Sequence, residues 1–240
     1  VALRSVAMTM VVVLLAVSAA LLIGALWGTF GKLSASLEGF LVAIAGGALI
    51  VSLVSELIEP AMKDLSVWTA MISMAVGATV FTGADWLIAR FLGEESGGGL
   101  LAAITLDGVP ENLALGVALI GAGALEVAAL AGAIFLSNLP EAAGGAREMV
   151  QDGRSKAAVL WLWAATAALL ASAAIAGNLL LSGVSSNWLA LIRCFASGAV
   201  VASLATEVFP KAYNEDRKLA GIATALGLAM AFILGSLSPS

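Results

Sequence analysis

Eight mostly apolar stretches follow one another along this chain with only short breaks between them, and each is about 20 residues or a little longer, enough to cross a bilayer as a helix. The breaks fall where charges, glycine, serine and proline gather. They predict helices near 6–28, 38–60, 66–91, 99–121, 124–147, 156–181, 188–211 and 218–237. Charged residues make up 11% of the sequence, against roughly 25% in soluble domains. The expected fold class is an all-α integral membrane protein, with eight transmembrane helices in a single domain over 1–240. The first stretch, from about Val6 to Trp27, is longer than a signal-peptide core and has no evident cleavage site, so it reads as a true span.

An even number of spans puts both termini on one side. Arg4, Lys63 and Arg193 fall on that side, whereas Lys32, Arg90, Arg147, Arg154, Lys156, Lys211, Arg217 and Lys218 fall on the other. Basic residues favour the cytoplasmic side, so both termini are expected outside. Adding or removing one span would scramble the asymmetry.

What is missing narrows the chemistry. With no histidine and a single cysteine, Cys194, these residues form no histidine-dependent triad, no HExxH metal site, no cysteine zinc cluster and no intrachain disulfide. Neither a GxGD nor a GxSG motif occurs, and no enzymatic activity is expected. No basic patch points to nucleic acid.

The acids inside the apolar stretches are the strongest functional signal. An ionised carboxylate at the bilayer centre costs about 2.5–3.5 kcal/mol on insertion scales, so such residues face one another, water or a cation. In "TLDGVPENLALG", Asp107 and Glu111 are four apart and share a helix face. In "FLSNLPEAAGG", Ser137 and Glu141 are also four apart, and Asn138 lies on the same face. Pro110 and Pro140 lack an N–H and free the carbonyls of Leu106 and Leu136. Oxygen-rich, kinked helices at this depth suit a cation. By depth the other acids line a route, with Glu56 near the outer end of span two, and Asp85 and Glu207 in the inner thirds of spans three and seven. Mutually hydrogen-bonded acids in a structural core are the bland alternative for the central set. Simple hydration is the alternative for Glu56 and Asp85.

The chain also echoes itself. "GALIVSLVSELIEPA" aligns without a gap on "GAVVASLATEVFPKA", matching Gly47 with Gly198, Ser52 with Ser203 and Glu56 with Glu207. "LDGVPE" and "LSNLPE" match in the same way. The paired spans run in opposite directions, as in the inverted repeats of secondary transporters; chance likeness in a Gly/Ala/Leu/Val alphabet is the alternative.

These residues resemble the ZIP (Zrt/Irt-like) family of divalent metal transporters. "LDGVPENLALG" is similar to its span-four HNxPEGLAxG motif, "LSNLPEAAGGA" to its span-five HExPEGxA-type motif, and "SELIEPA" and "TEVFPKA" to the endings of its spans two and seven. The resemblance covers nearly the whole chain. It implies a 3+2+3 arrangement of helices, the outer triplets related by inversion, a transport site between spans four and five, and metal movement into the cytoplasm. It further implies that Glu111 and Glu141 match the metal-bridging acids of a two-metal site, that Asp107 stands where histidine is usual, that Ser137 and Asn138 occupy ligand positions, and that Glu207 resembles an exit ligand.

Departures from the family reshape the expectation. Gly108 replaces an asparagine ligand, residues 156–181 contain no acid, and "RFLGEESGGG" lacks a histidine-rich metal-binding sequence. One metal site is therefore expected, built from Asp107, Glu111, Asn138, Glu141 and Ser137, with Glu56, Asp85 and Glu207 along the route. Oxygen ligands suit Mn²⁺ and other hard ions ahead of zinc. The ion, of the Mn, Zn or Fe class, is cargo rather than a tightly bound cofactor. Expected partners are the lipid bilayer and the divalent ion, with room for a homodimer, in the plasma membrane. A non-transporting relative and a carrier for another cation are the competing functions.

Overall fold

The computed structural model describes residues 2–92, 97–120 and 127–236, with the side chains of 2–7, 9, 92, 97–104 and 107 outside the description. The described residues form eight helices and no strand. They are α1 (Ala2–Phe30), α2 (Ala35–Ala61), α3 (Val67–Leu92), α4 (Gly97–Ala118), α5 (Ala128–Gln151), α6 (Lys156–Leu181), α7 (Ser186–Glu215) and α8 (Ala220–Ser236). Among the described residues α1, α2, α3, α6 and α7 are long and apolar enough to cross a membrane, and α8 is apolar but shorter. The chain is a multi-pass membrane protein. The fifth helix starts four residues later than the sequence breaks predict, at Ala128 instead of 124, and runs on to Gln151. It stops where Gly153, the one described residue with positive φ, takes the left-handed conformation (φ 89°) and lets Arg154 N–H bond back to Met149 O (3.0 Å).

Packing follows a rule of exchange. Swap α1 with α6, α2 with α7, α3 with α8 and α4 with α5, and the most extensive helix contacts map onto one another. The α1–α5 contact becomes α6–α4, α2–α8 becomes α7–α3, α2–α5 becomes α7–α4, and α3–α4 becomes α8–α5. The same exchange holds for individual atoms. A side chain at Gly47 would strike Thr224 O and one at Gly227 would strike Ile44 O, locking α2 to α8. A side chain at Gly198 would strike Met74 O and one at Gly77 would strike Phe195 O, locking α7 to α3. In all four helices the glycine follows the touched carbonyl by three residues. Helices in lipid gain nothing from excluding water, so such backbone approach, with its dispersion and Cα–H···O contacts, holds them together.

Helices α2 and α7 share a second irregularity. Each contains one π-helical turn, Val54–Ile58 and Leu204–Val208, in which Glu59 N–H reaches Val54 O and Phe209 N–H reaches Leu204 O. Pro60 and Pro210 follow directly. A proline ring clashes with the carbonyl four residues earlier, and the wider turn makes room for it. Glu56 and Glu207 both fall on these turns, a kind of distortion frequent at functional sites.

Asp216 ties the α7–α8 turn to the start of α2. Its carboxylate accepts from Ser36 Oγ (2.6 Å) and from the N–H groups of Lys218 and Leu219 (both 3.2 Å). The Ser36 hydrogen bond, aided by those backbone donors, holds the carboxyl below the usual aspartate range.

Two predictions follow from this packing. Gly47→Ala and Gly198→Ala should each lower stability in detergent by about 1–3 kcal/mol. Gly221→Ala, which meets nothing within 4 Å, should stay within about 0.5 kcal/mol. Equal melting curves for Gly198→Ala and Gly221→Ala would refute the packing argument. For Asp216 the folded pKa is depressed, so its tie is complete above the ordinary value of about 3.9 and is lost as pH falls through the lower folded value. Asp216→Asn should therefore be least stable relative to wild type near neutral pH, and the gap should close on acidification below about pH 4; a pH-independent gap in the thermal melts would contradict this.

Candidate functional site

The two helices that carry proline–glutamate pairs sit inside the others. In α4, Glu111 and Asn112 are buried, and Asn112 Nδ2 donates to Gly108 O (2.9 Å). That carbonyl is not the one Pro110 frees, Leu106 O, so the bond fixes the Asn112 side chain against its own helix. In α5, Ser137 and Asn138 are buried and Glu141 is half-buried. Asp107 lies on α4, but its side chain is outside the described residues. Helices α4 and α5 touch each other, so Glu111 and Glu141 belong to neighbouring helices with their other flanks covered. Among the described residues, which leave out the Asp107 side chain, no three acidic or cysteine side chains converge on one point.

One flank is dry. Leu170 of α6 lies against Gly108, its Cδ1 2.6 Å from where a Cβ there would stand. It belongs to an apolar layer with Trp163, Leu21 and Met149, against which Val109 packs. The absence of a side chain at Gly108 and the absence of an acid in α6 are thus one feature, since apolar carbon fills the space. The opposite flank is polar. α7 packs on α4 and carries buried Ser203 and half-buried Glu207, four residues apart on one face. α2 packs on α5 and carries buried Ser52 four residues before Glu56.

Glu56, expected at the outer entrance, has a structural task. Its Oε1 accepts the Leu130 N–H (2.8 Å) in the first turn of α5, a helix whose own N-cap residue, Val127, supplies no side-chain cap. The carboxyl oxygen thereby satisfies one of the orphan donors at the start of the helix. The C-terminal turn of α4 is held comparably, by Asn178 Nδ2 on Gly116 O (3.1 Å) and Arg193 Nη2 reaching Val117 O (3.5 Å). Arg193 therefore turns inward to a helix end. Asp85 is half-buried on α3, whose main neighbours are α7 and α4, and it is not brought to the α5 residues. Arg90, its nearest cation in sequence, instead stacks over Trp86 at 5.0 Å.

The most heavily charged contact was missed from sequence. Glu38, with no exposed surface, lies between Lys211 Nζ (2.9 Å from Oε1) and Arg147 Nη2 (3.1 Å from Oε2), and Arg147 Nη1 also donates to Leu33 O (3.0 Å). This ion triad joins α2, α5 and α7 at the end of the bundle opposite Glu56. The only sequence signal was that both its partners fall on the basic side of the charge asymmetry.

Comparison of the chain with protein-family models and with curated proteins yields no match. Glu56→Ala should cost about 1–2 kcal/mol, and Glu56→Gln, which keeps an acceptor oxygen, should recover part of it. Thermal unfolding in detergent measures both; a Glu56→Ala protein as stable as wild type would remove the capping role.

Proposed function

We propose that the protein carries divalent metal cations across its membrane, into the cytoplasm, by alternating exposure of a site between α4 and α5. It is read as a divergent, histidine-free relative of the ZIP transporters. The observation that carries this reading is the placement of Glu111, Asn138, Ser137 and Glu141 in two proline-interrupted helices that the rest of the bundle encloses. Buried acids in a membrane protein mark ion routes by default, because only a cation, a proton or an equivalent partner offsets their desolvation. Asp107 completes an all-oxygen donor set on the Asp107–Glu111 face. Such a set favours Mn²⁺ and similarly hard ions over zinc.

The exchange symmetry of the packing supports an inverted repeat, with α1–α3 and α6–α8 as the related triplets and α4 and α5 as the central pair. Alternating access then amounts to rocking the pair against the triplets. The charge asymmetry of the loops supports extracytoplasmic termini and a plasma-membrane location. Leu170 over Gly108 supports one ion at a time, since the α6 side offers no ligand. The same contact also favours the second reading, a non-transporting relative that has lost ligands.

Uptake into proteoliposomes separates the two readings. Saturable flux of Mn²⁺ is expected, exceeding that of Zn²⁺, Fe²⁺, Cd²⁺ or Mg²⁺. It should fall at least roughly tenfold in Glu111→Gln and in Glu141→Gln, the loss of one charge-assisted ligand being worth about 1.4 kcal/mol or more. Exposed Asp152→Asn should transport like wild type. Undiminished flux in both glutamine variants would overturn the site, and no flux with any ion would favour the second reading.

A further inference from the structure

Of the three side chains in the Glu38 cluster, Arg147 alone belongs to α5; Glu38 is on α2 and Lys211 on α7. Gly144 lets α5 lie directly against the carboxylate, since a Cβ there would collide with Glu38 Oε1. Glu148, exposed one residue beyond Arg147, acts on Lys211 through its charge, and Glu141 does so more weakly. This end of α5 is therefore held to its neighbours by pairings of opposite sign, Arg147 with Glu38 and Glu148 with Lys211.

Parting there strands no buried charge. If α5 moves away, Glu38, which has no exposed surface, keeps Lys211 at 2.9 Å. Arg147 already has 24% of its side chain exposed and Glu148 is exposed, so both can take up water as they leave. Breaking a buried ion pair is costly, on the order of 3–5 kcal/mol, when one charge is left alone; here neither is. The tie at the Glu56 end lacks this property. Its parting would leave the Leu130 N–H, at a helix start with no side-chain cap, without its acceptor. Under the alignment that pairs Gly47 with Gly198 and Pro110 with Pro140, the counterparts of Glu38, Arg147 and Lys211 are Leu189, Val117 and Pro60. The releasable contact is thus built at one end only.

We propose that Arg147 is a releasable latch: on Glu38 it closes the way from the α4/α5 site to the cytoplasm, and its departure opens that way while Glu38 stays with Lys211. This deepens the metal-carrier reading above and rests on it. Arg147 follows Glu141 by six residues, about 9 Å along the helix, so it stands between the site and the end of the bundle that the loop charges make cytoplasmic. Its Nη1 also donates to Leu33 O in the α1–α2 connection (3.0 Å), and release frees that connection as well.

Thiol labelling of the purified full chain in detergent tests this. Val42 and Ser52 are buried on the α2 face that carries Glu38 and Glu56, Val42 four residues after the first and Ser52 four before the second. With Cys194→Ala removing the one native thiol, Val42→Cys reports the Glu38 end and Ser52→Cys the Glu56 end. A charged methanethiosulfonate should label Val42→Cys roughly tenfold faster once Arg147→Gln is added, tenfold being about 1.4 kcal/mol in the closed–open balance. Ser52→Cys should label at its former rate in the same variant. Lys211→Met should slow the labelling of Val42→Cys, because opening then strands Glu38. A merely structural cluster would loosen in both variants and quicken both labels. Val42→Cys labelled no faster with Arg147→Gln, or Ser52→Cys quickened as much, overturns the latch. Should Arg147→Gln fail to fold, Arg147→Lys, which keeps the charge and loses the fork shared by Glu38 and Leu33 O, reads the same effect in smaller measure; a rate no faster than with Arg147 likewise overturns the proposal. Labelling needs no metal, so failure of the latch with Mn²⁺ uptake intact overturns the latch alone. Absent uptake with the labelling pattern intact overturns the carrier reading alone.

Discussion

Placing an ionised carboxylate in hydrocarbon costs about 2.5–3.5 kcal/mol on insertion scales, and α4 and α5 carry theirs near mid-helix. Those two helices need company on every side, and the company has to come close. Water exclusion cannot drive helices together inside lipid. Gly47, Gly77, Gly198 and Gly227 let α2 and α7 meet α8 and α3 backbone to backbone. Gly28 does the same for α1 against Ala143 O of α5, and Gly177 approaches Leu113 O of α4. Ala143 and Leu113 each lie three residues beyond the proline of their own helix. The small residues that make the chain look monotonous are what allow its acids to be buried.

The scaffold is matched between its halves, and its chemistry is not. Ser52 and Glu56 have counterparts in Ser203 and Glu207, and both glutamates fall on π turns ahead of a proline. At one end Glu56 caps α5, and Arg193 and Asn178 hold the last turn of α4. At the other end Glu38, Arg147 and Lys211 form a compact ion cluster. Here the difference resides in a few side chains on a shared backbone plan.

Local features of this fold could be read from sequence, and contacts between distant residues could not. Apolar length located the helices, because hydrocarbon thickness leaves little choice of span. The ungapped match of Gly47 to Gly198 is mirrored by their equivalent contacts with Thr224 O and Met74 O. The partners Gly77 and Gly227 escaped notice, since α3 and α8 share too little beyond small residues to be aligned. The depth of Glu56 was legible in the sequence, and its bond to Leu130 N–H was not. Glu38 was passed over because its partners lie on two other helices, and nothing local marks a span's first acid as buried.

The central claim is that a divalent cation binds between α4 and α5. Anomalous diffraction from crystals grown with Mn²⁺ tests it most directly. The account predicts one strong anomalous peak per chain, within bonding distance of carboxylate oxygens from both Glu111 and Glu141. No peak between these helices, or a peak held only by surface acids such as Glu59 or Asp152, would contradict it.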